Sequence, residues 1–252
     1  MHKNFSNLNS LNEGLYFLSL GGIGEIGANC YLYGCDGKWI MIDLGLSFAD
    51  EKYPGVELLV PKIDTIESIR NDLEAIIISH GHEDHAGAVG YLSNKIDCPV
   101  YATGFVKLLI ENRLKEFGSL DKINLKELNT EKQLNLKNFK IEFIETTHSI
   151  PQPHAINITT KYGSLLHTAD WKIDKNPTLG NQFNENEFEK IGNDGLLALI
   201  GDSTNANVPG FSSSENEVKE ELTSIFSRYN QRIVVTCFSS NIARMKNIVI
   251  AA

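Results

Sequence analysis

The stretch "SHGHEDH", Ser79 to His85, carries three of the chain's seven histidines and two carboxylates directly after the apolar, β-branched run "EAIIIS". Imidazole and carboxylate are preferred ligands of zinc and related divalent ions. Side chains two apart in an extended segment point the same way, so His80 and His82 can grip one ion together. Asp84 and His85, beyond the turn, would face a second ion. A polar loop with incidental histidines is the competing reading, and the density of donors at a strand end argues against it.

Two ions need further donors, one able to bridge them. His148 in "ETTHSIP" follows the strand-like "KIEFIE", and Asp170 in "LLHTADWKID" follows "SLLHTA". Both lie where loops converge at one edge of a sheet, which suits a third ligand and a bridging carboxylate. Taken alone, each is an ordinary turn residue or cap; beside the 79–85 stretch they become donors. Asp43, ending "WIMID", is placed behind the ligands, where a carboxylate accepts the other ring N–H of a ligand histidine and fixes its tautomer. His2 in a polar tail, His167 within a strand and His154 past a proline turn are read as structural or exposed, with His154 near enough to touch substrate.

Strand-like runs recur at 14–20, 28–33, 38–43, 74–79, 99–102, 139–145, 155–160, 164–169 and 196–201. Helical spacing is expected at 62–70, 85–93, 103–117, 185–192 and 214–228. Ser212, Ser213 and Ser214 are cap candidates for the last of these, with Glu217 three residues after Ser214. Early hairpins followed by alternating helices and strands predict an α/β layered domain. The strand-like "QRIVVTCF" opens a further β-then-α unit, so a boundary is expected near 207. The helically spaced "NIARMKNIVIAA" stops without C-terminal punctuation, as a helix cut short would.

Gly22, Gly24 and Gly27 stand in G-x-G-x-x-G register after an apolar run. A dinucleotide site would need a helix to open at the third glycine. Instead Asp36-Gly37 separates two short apolar runs, the signal of a tight hairpin that leaves no room for such a helix. No nucleotide cofactor is expected.

The chain has 252 residues, 42% hydrophobic and 22% charged, an ordinary globular composition. It shows no signal-peptide pattern and no apolar run of about 20 residues, so a cytoplasmic protein without a membrane span is expected. Cys30, Cys35, Cys98 and Cys237 include no C-x-x-C pair and are read as reduced packing residues. A net charge of −9 leaves no overall footprint for nucleic acid, so a polyanion would have to be held by a local site.

The order H-x-H-x-D-H, a later histidine and a later aspartate at a strand end resembles the metallo-β-lactamase superfamily. "GGIGEIGANCYLYG", "IDLGLSFAD", "PGVELLVPKID", "ISHGHEDHAGAV", "THSIPQPHAI", "HTADWKID", "GDSTNANVPGFSSSE" and "CFSSNIARM" together resemble the ribonuclease J family of its β-CASP branch, from Gly21 onward. The resemblance implies a metallo-β-lactamase αββα sandwich over residues 1–207, followed at 208–252 by the truncated start of a β-CASP domain. It implies two zinc ions, with manganese as the alternative. His80, His82 and His148 would bind one, Asp84 and His85 the other, and Asp170 would bridge them. Asp202 in "LIGDSTNA" matches a carboxylate that orients a histidine of the second domain, and Ser239, Ser240 and Asn241 match a loop holding RNA near its phosphate. Taken without the resemblance, the serine pair reads as a helix cap.

The glycine-rich turn would lie beside the ligand loops. The implied activity is hydrolysis of RNA phosphodiesters, 5′-to-3′ exonucleolytic and endonucleolytic, by a protein that is a homo-oligomer at full length. Two histidines that the family supplies further along have no counterpart here, so the chain alone is expected to bind at least one zinc and to cleave RNA poorly or not at all. Two other classes stay open: a small-molecule hydrolase acting on a thioester or lactam, and a zinc-stabilised RNA-binding module without catalysis.

Overall fold

The computed structural model describes residues 8–252. It divides into two compact units. One runs to Glu142 and takes in Ile158–Gly163; the other holds Phe143–Asn157 and Ser164–Ala252. His2 lies outside the described residues.

In the first unit β1 (Leu15–Gly21), β2 (Cys30–Cys35) and β3 (Lys38–Ile42) form an antiparallel meander. Asp36 and Gly37 close its second hairpin at φ +47° and +76°, the left-handed pair that a two-residue turn between twisted strands requires. Next come β4 (Ser47–Phe48), β5 (Leu58–Leu59), α1 (Ile63–Ser68), β6 (Leu73–Ile77), α2 (Glu83–Ala86), α3 (Ala88–Tyr91), β7 (Val100–Ala102), α4 (Gly104–Glu116), β8 (Leu125–Glu127) and β9 (Leu134–Asn135). Strands β6, β7 and β8 extend the meander in parallel, giving the order β1-β2-β3-β6-β7-β8. Trp39, Met41, Ile76, Ile78 and Val100 from this sheet form one buried cluster with Val106, Ile110 and Leu114. The last three are spaced by four residues, so they make one stripe along α4.

The second unit contains most of β10 (Lys140–Glu145), β11 (His154–Thr160) and β12 (Gly163–His167), then α5 (Glu185–Asp194), β13 (Ala198–Ile200), α6 (Glu215–Phe226) and α7 (Ile242–Ala251). Within it the strand order is β13-β12-β11-β10, with β13 parallel to β12. One buried apolar cluster there consists of Ile144, Ala155 and Leu166, with Phe188, Ile191 and Leu196 packed against it. Polar contacts tie the helices. Ser214 Oγ accepts the Glu217 N–H at 3.1 Å while Glu217 accepts the Ser214 N–H at 3.2 Å, a complete capping box. The Glu215 carboxylate, opening α6, accepts from Arg244 Nη2 at 3.0 Å and Asn247 Nδ2 at 3.1 Å of α7.

Several expectations are corrected. Residues 231–238, read as a strand, carry none: they leave Val234 and Phe238 more than four-fifths exposed, and among the described residues no strand pairs with them. β-Branched composition does not make a strand without a neighbour to take its backbone hydrogen bonds. Cys237 in this segment is exposed, unlike the three buried cysteines. Burial pushes the Cys98 thiol up to about 12 and raises that of Cys30 as well, so both stay protonated. The helix expected over 85–93 is two short ones. Its ladder breaks because the Asp84 carbonyl accepts from Asn29 N–H at 2.9 Å and the Ala88 N–H donates to Leu44 at 3.0 Å. The short strands β4, β5, β8 and β9 were not expected.

The hairpin turn is also an electrostatic anchor. Asp36 accepts from Lys161 Nζ at 2.6 Å, Tyr162 Oη at 2.8 Å and the Gly14 N–H at 3.1 Å, and these contacts, Lys161 first, pull its carboxyl down to about 2. A carboxyl depressed in the folded state contributes stability above its unfolded value of about 3.9, and that contribution is lost as pH falls through about 2. The melting temperature of Asp36→Asn should therefore fall less between pH 4 and pH 2 than that of the wild type, as read by circular dichroism; parallel curves would contradict this.

Candidate metal centre

Strand β6 ends at Ile77 and is followed by Ile78, Ser79 and the histidine stretch, while its parallel neighbour β3 ends at Ile42, paired with Ile77. Ligand loops in sheets of this kind gather at the carboxyl ends of parallel strands. Asp43, the next residue after β3, is fully buried and turns the chain at φ +62°, a conformation costing on the order of 1 kcal/mol outside glycine. Its Oδ1 accepts the Ser79 N–H at 2.7 Å, and its Oδ2 accepts from Ser79 Oγ at 2.8 Å and His85 Nδ1 at 2.7 Å.

These bonds fix two tautomers. Since His85 gives its Nδ1 proton to Asp43, its Nε2 is a lone pair. Since Ser79 spends its one hydroxyl proton on Asp43, its oxygen accepts from His80 Nδ1 at 3.0 Å, and His80 also presents Nε2 as a lone pair. His82, the N-cap of α2, brings Nδ1 to 3.1 Å from His80 Nε2. Nitrogens converging at that separation suit a shared cation. On the other side, His85 Nε2 stands 3.6 Å from Asp84 Oδ2. Within this unit the donor chemistry and spacing therefore fit divalent ions.

Backbone packing holds this loop. Leu44 N–H donates to His85, Leu46 N–H to Glu83 and Asn29 N–H to Asp84, at 2.8, 3.0 and 2.9 Å. Gly45 lies so close to the chain at Asp84 that a Cβ would overlap the Asp84 carbonyl oxygen. Gly22, Gly24 and Gly27 all have positive φ, and β2 follows them where a dinucleotide fingerprint would open a helix. Within the glycine-rich turn it is Asn29 that contacts the ligand loop: its Nδ2 lies 3.2 Å from Asp84 Oδ2 and 3.0 Å from His85 Nε2.

In the second unit His148 follows β10, and Asp170 follows β12. Their facing atoms, Nε2 and Oδ2, are 3.6 Å apart. The Lys172 N–H donates to the Thr147 carbonyl at 2.8 Å, lacing the two loops together. Both residues line a cavity of about 830 Å³ whose wall also includes Trp171, Lys172 and Asp202. Asp202 accepts the Thr204 N–H at 2.8 Å, and its own N–H donates to Thr168 Oγ1 at 3.1 Å. Ser239, Ser240 and Asn241 are not part of that wall. Asn241 is the N-cap of α7, its Oδ1 accepting the Arg244 N–H at 2.8 Å. The cap belongs to Asn241 and not to the serine pair. His154 is buried against the Gln152 carbonyl at 3.0 Å, and burial lowers its pKa. His167 ends β12 and is also buried.

The sequence reading missed Asn29, Ser79 and Gly45. Ser79 was visible within the quoted stretch, but its hydroxyl acts through Asp43, 36 residues away. Two substitutions test the arrangement. Asp43→Asn removes one acceptor and sets an amide N–H against a donor. Chelator competition should show divalent-ion affinity reduced about 10- to 100-fold; unchanged affinity would mean that another group orients His85. Gly45→Ala should cost about 3 kcal/mol in urea unfolding through overpacking against backbone, and a neutral effect would refute the close approach.

The model of the metallo-beta-lactamase superfamily matches residues 23–180. The chain is 41% identical over 244 residues to ribonuclease J of Sinorhizobium meliloti, and 34% identical over 240 residues to ribonuclease J2 of Bacillus subtilis. Each match covers 95% of this chain and 43% of the relative, so the chain spans under half the length of these curated proteins. A crystal structure of a protein of unknown function from Enterococcus faecalis V583 superposes with a TM-score of 0.67 at 18% identity, over 94% of this chain and 63% of that one. The parallel strand ends that carry "SHGHEDH" thus lie inside the matched span, and the chain belongs to the metallo-beta-lactamase superfamily.

Proposed function

We propose that the chain is the metal-binding part of a ribonuclease that hydrolyses RNA phosphodiesters, exonucleolytically from the 5′ end and endonucleolytically. The observation carrying this reading is that the relatives named ribonuclease J align over essentially the whole chain, with the histidine stretch on prearranged lone pairs within the aligned span. His80, His82 and His148 would hold one divalent ion, Asp84 and His85 the other, with Asp170 between them. Zinc is the first choice and manganese the alternative. A pair of such ions supplies a water that ionises near neutral pH and positive charge against a phosphodiester.

The chain's own residues would do the positioning. Asp43 and Ser79 keep His80 and His85 in the metal-ready tautomer, so no proton need leave either ring when an ion arrives. Asp202, through the likeness of "LIGDSTNA" to the ribonuclease J pattern, would orient a histidine of the second domain. Ser239 and Ser240, just ahead of α7, would meet an RNA phosphate with their own groups, because the N–H groups of Ile242, Ala243 and Arg244 in the first turn are engaged by Ser240, Ser149 and Asn241. Asn241 is already committed to the Arg244 N–H, so its contribution there is to shape the turn. No cysteine nucleophile is invoked, in keeping with the raised thiols of Cys30 and Cys98.

The boundary near 207, a cytoplasmic location and a homo-oligomeric full-length protein belong to the same proposal. Among the described residues no helix is long and apolar enough to cross a membrane.

The test is a chimera in which these residues replace the matching segment of the Sinorhizobium meliloti protein. With zinc or manganese it should cut RNA to leave 5′-phosphate and 3′-hydroxyl ends. His82→Ala should slow cutting about 1,000-fold, several kcal/mol of barrier. Faster turnover of a thioester or lactam than of RNA would replace this reading with that of a small-molecule hydrolase.

A further inference from the structure

Asn29 is only 9% exposed, and its amide nitrogen closes a triangle with two proposed donors. The sides are 3.0 Å to His85 Nε2, 3.2 Å to Asp84 Oδ2 and 3.6 Å between those two atoms. With ligand bonds of about 2.0–2.2 Å, neighbouring donors around one ion stand about 2.8–3.6 Å apart. The triangle thus has the size of one face of a coordination shell. The amide N–H groups donate to the carboxylate and to the lone pair that Asp43 turns outward on His85.

A half-turn of the Asn29 amide exchanges Oδ1 and Nδ2 without moving another atom. The surroundings favour that exchange once a cation is present. Behind the amide, Tyr31 Oη lies 2.8 Å from Asn29 Oδ1 and 3.3 Å from the Gly22 carbonyl, so one hydroxyl proton serves two acceptors. After the half-turn the amide donates to the tyrosine oxygen, and the tyrosine proton goes to Gly22 alone. A side chain at position 22 would overlap both Asn29 Oδ1 and Tyr31 Oη, which gives this glycine a specific task.

We propose that Asn29 Oδ1 is an oxygen ligand of the cation held by Asp84 and His85, brought to it by the half-turn of the amide. The inference rests on the reading of the chain as a binder of divalent ions. An added neutral oxygen shifts the donor set toward oxygen-rich, six-coordinate ions, so Asn29 biases this position to manganese over zinc.

Calorimetric titration with manganese chloride and with zinc chloride distinguishes the alternatives in the wild type, Asn29→Ala and Asn29→Asp, with metal-free melting curves as folding controls. Loss of the oxygen in Asn29→Ala should weaken manganese binding at least tenfold and zinc binding less. A carboxylate oxygen in Asn29→Asp should tighten manganese binding about tenfold and enlarge the rise in melting temperature that manganese produces. If the amide serves only as an N–H donor, Asn29→Asp loses both donations and sets a carboxylate against Asp84. Manganese binding would then weaken in both variants, which overturns the proposal. Binding of neither ion by the wild type would overturn the metal reading together with it, whereas wild-type binding without tightening in Asn29→Asp sinks this inference alone.

Discussion

A carboxylate with no exposed surface, Asp43, is the constraint on which the first unit's chemistry depends. An ionised carboxylate out of water costs several kcal/mol unless its oxygens are paired. Here the Ser79 backbone, the Ser79 hydroxyl and the His85 ring supply three donors. The stability requirement and the functional one coincide: the same bonds that make the buried charge tolerable settle which nitrogen of His85, and through Ser79 which nitrogen of His80, carries a proton. The topology makes the meeting possible. Parallel register sets Ile42 beside Ile77, and the Asp43 N–H extends the ladder to the Ile77 carbonyl at 2.9 Å before the chain turns away.

Around this carboxylate three segments exchange backbone bonds, two of them with groups that a continuous helix would have kept to itself. The Asp84 carbonyl goes to Asn29, the Ala88 N–H to Leu44 and the Gly45 N–H to the Asn29 carbonyl at 2.9 Å. Little is lost in the ladder because each group finds another partner. What is gained is position: Asp84 and His85 are held from two sides by backbone, which spreads little under thermal motion compared with long side chains. Glycine at 45 follows from that closeness, since any Cβ would enter the Asp84 carbonyl.

Much of this was legible in the sequence because it is local. Three histidines after a buried strand, Asp36-Gly37 between apolar runs and Ser214 three residues before Glu217 each act within a few residues, and the structure realises the hairpin and the capping box. What was illegible depends on distant partners. The break at Gly87 comes from Asn29 and Leu44, and the role of Ser79 comes from Asp43. Residues 231–238 fail for the same reason in reverse. Their β-branched composition describes what a strand would look like, but a strand exists only with a neighbour, and composition does not reveal whether one is there.

Electrostatics bears on the kind of substrate proposed. The chain is acidic overall, with a net charge of −9, and the cavity beside His148 and Asp170 is walled by more carboxylates than lysines. The lysines it has are engaged: Lys172 Nζ donates to the Ser213 carbonyl at 2.6 Å, and Lys175 pairs with Glu185 at 3.0 Å. A phosphodiester approaching such a wall meets repulsion that side-chain cations do not offset. Bound divalent ions would be the largest positive charges in such a site, reversing the field where the reaction takes place. The proposed ligand histidines and carboxylates would in this way both assemble the reacting groups and make an acidic surface tolerant of a polyanion.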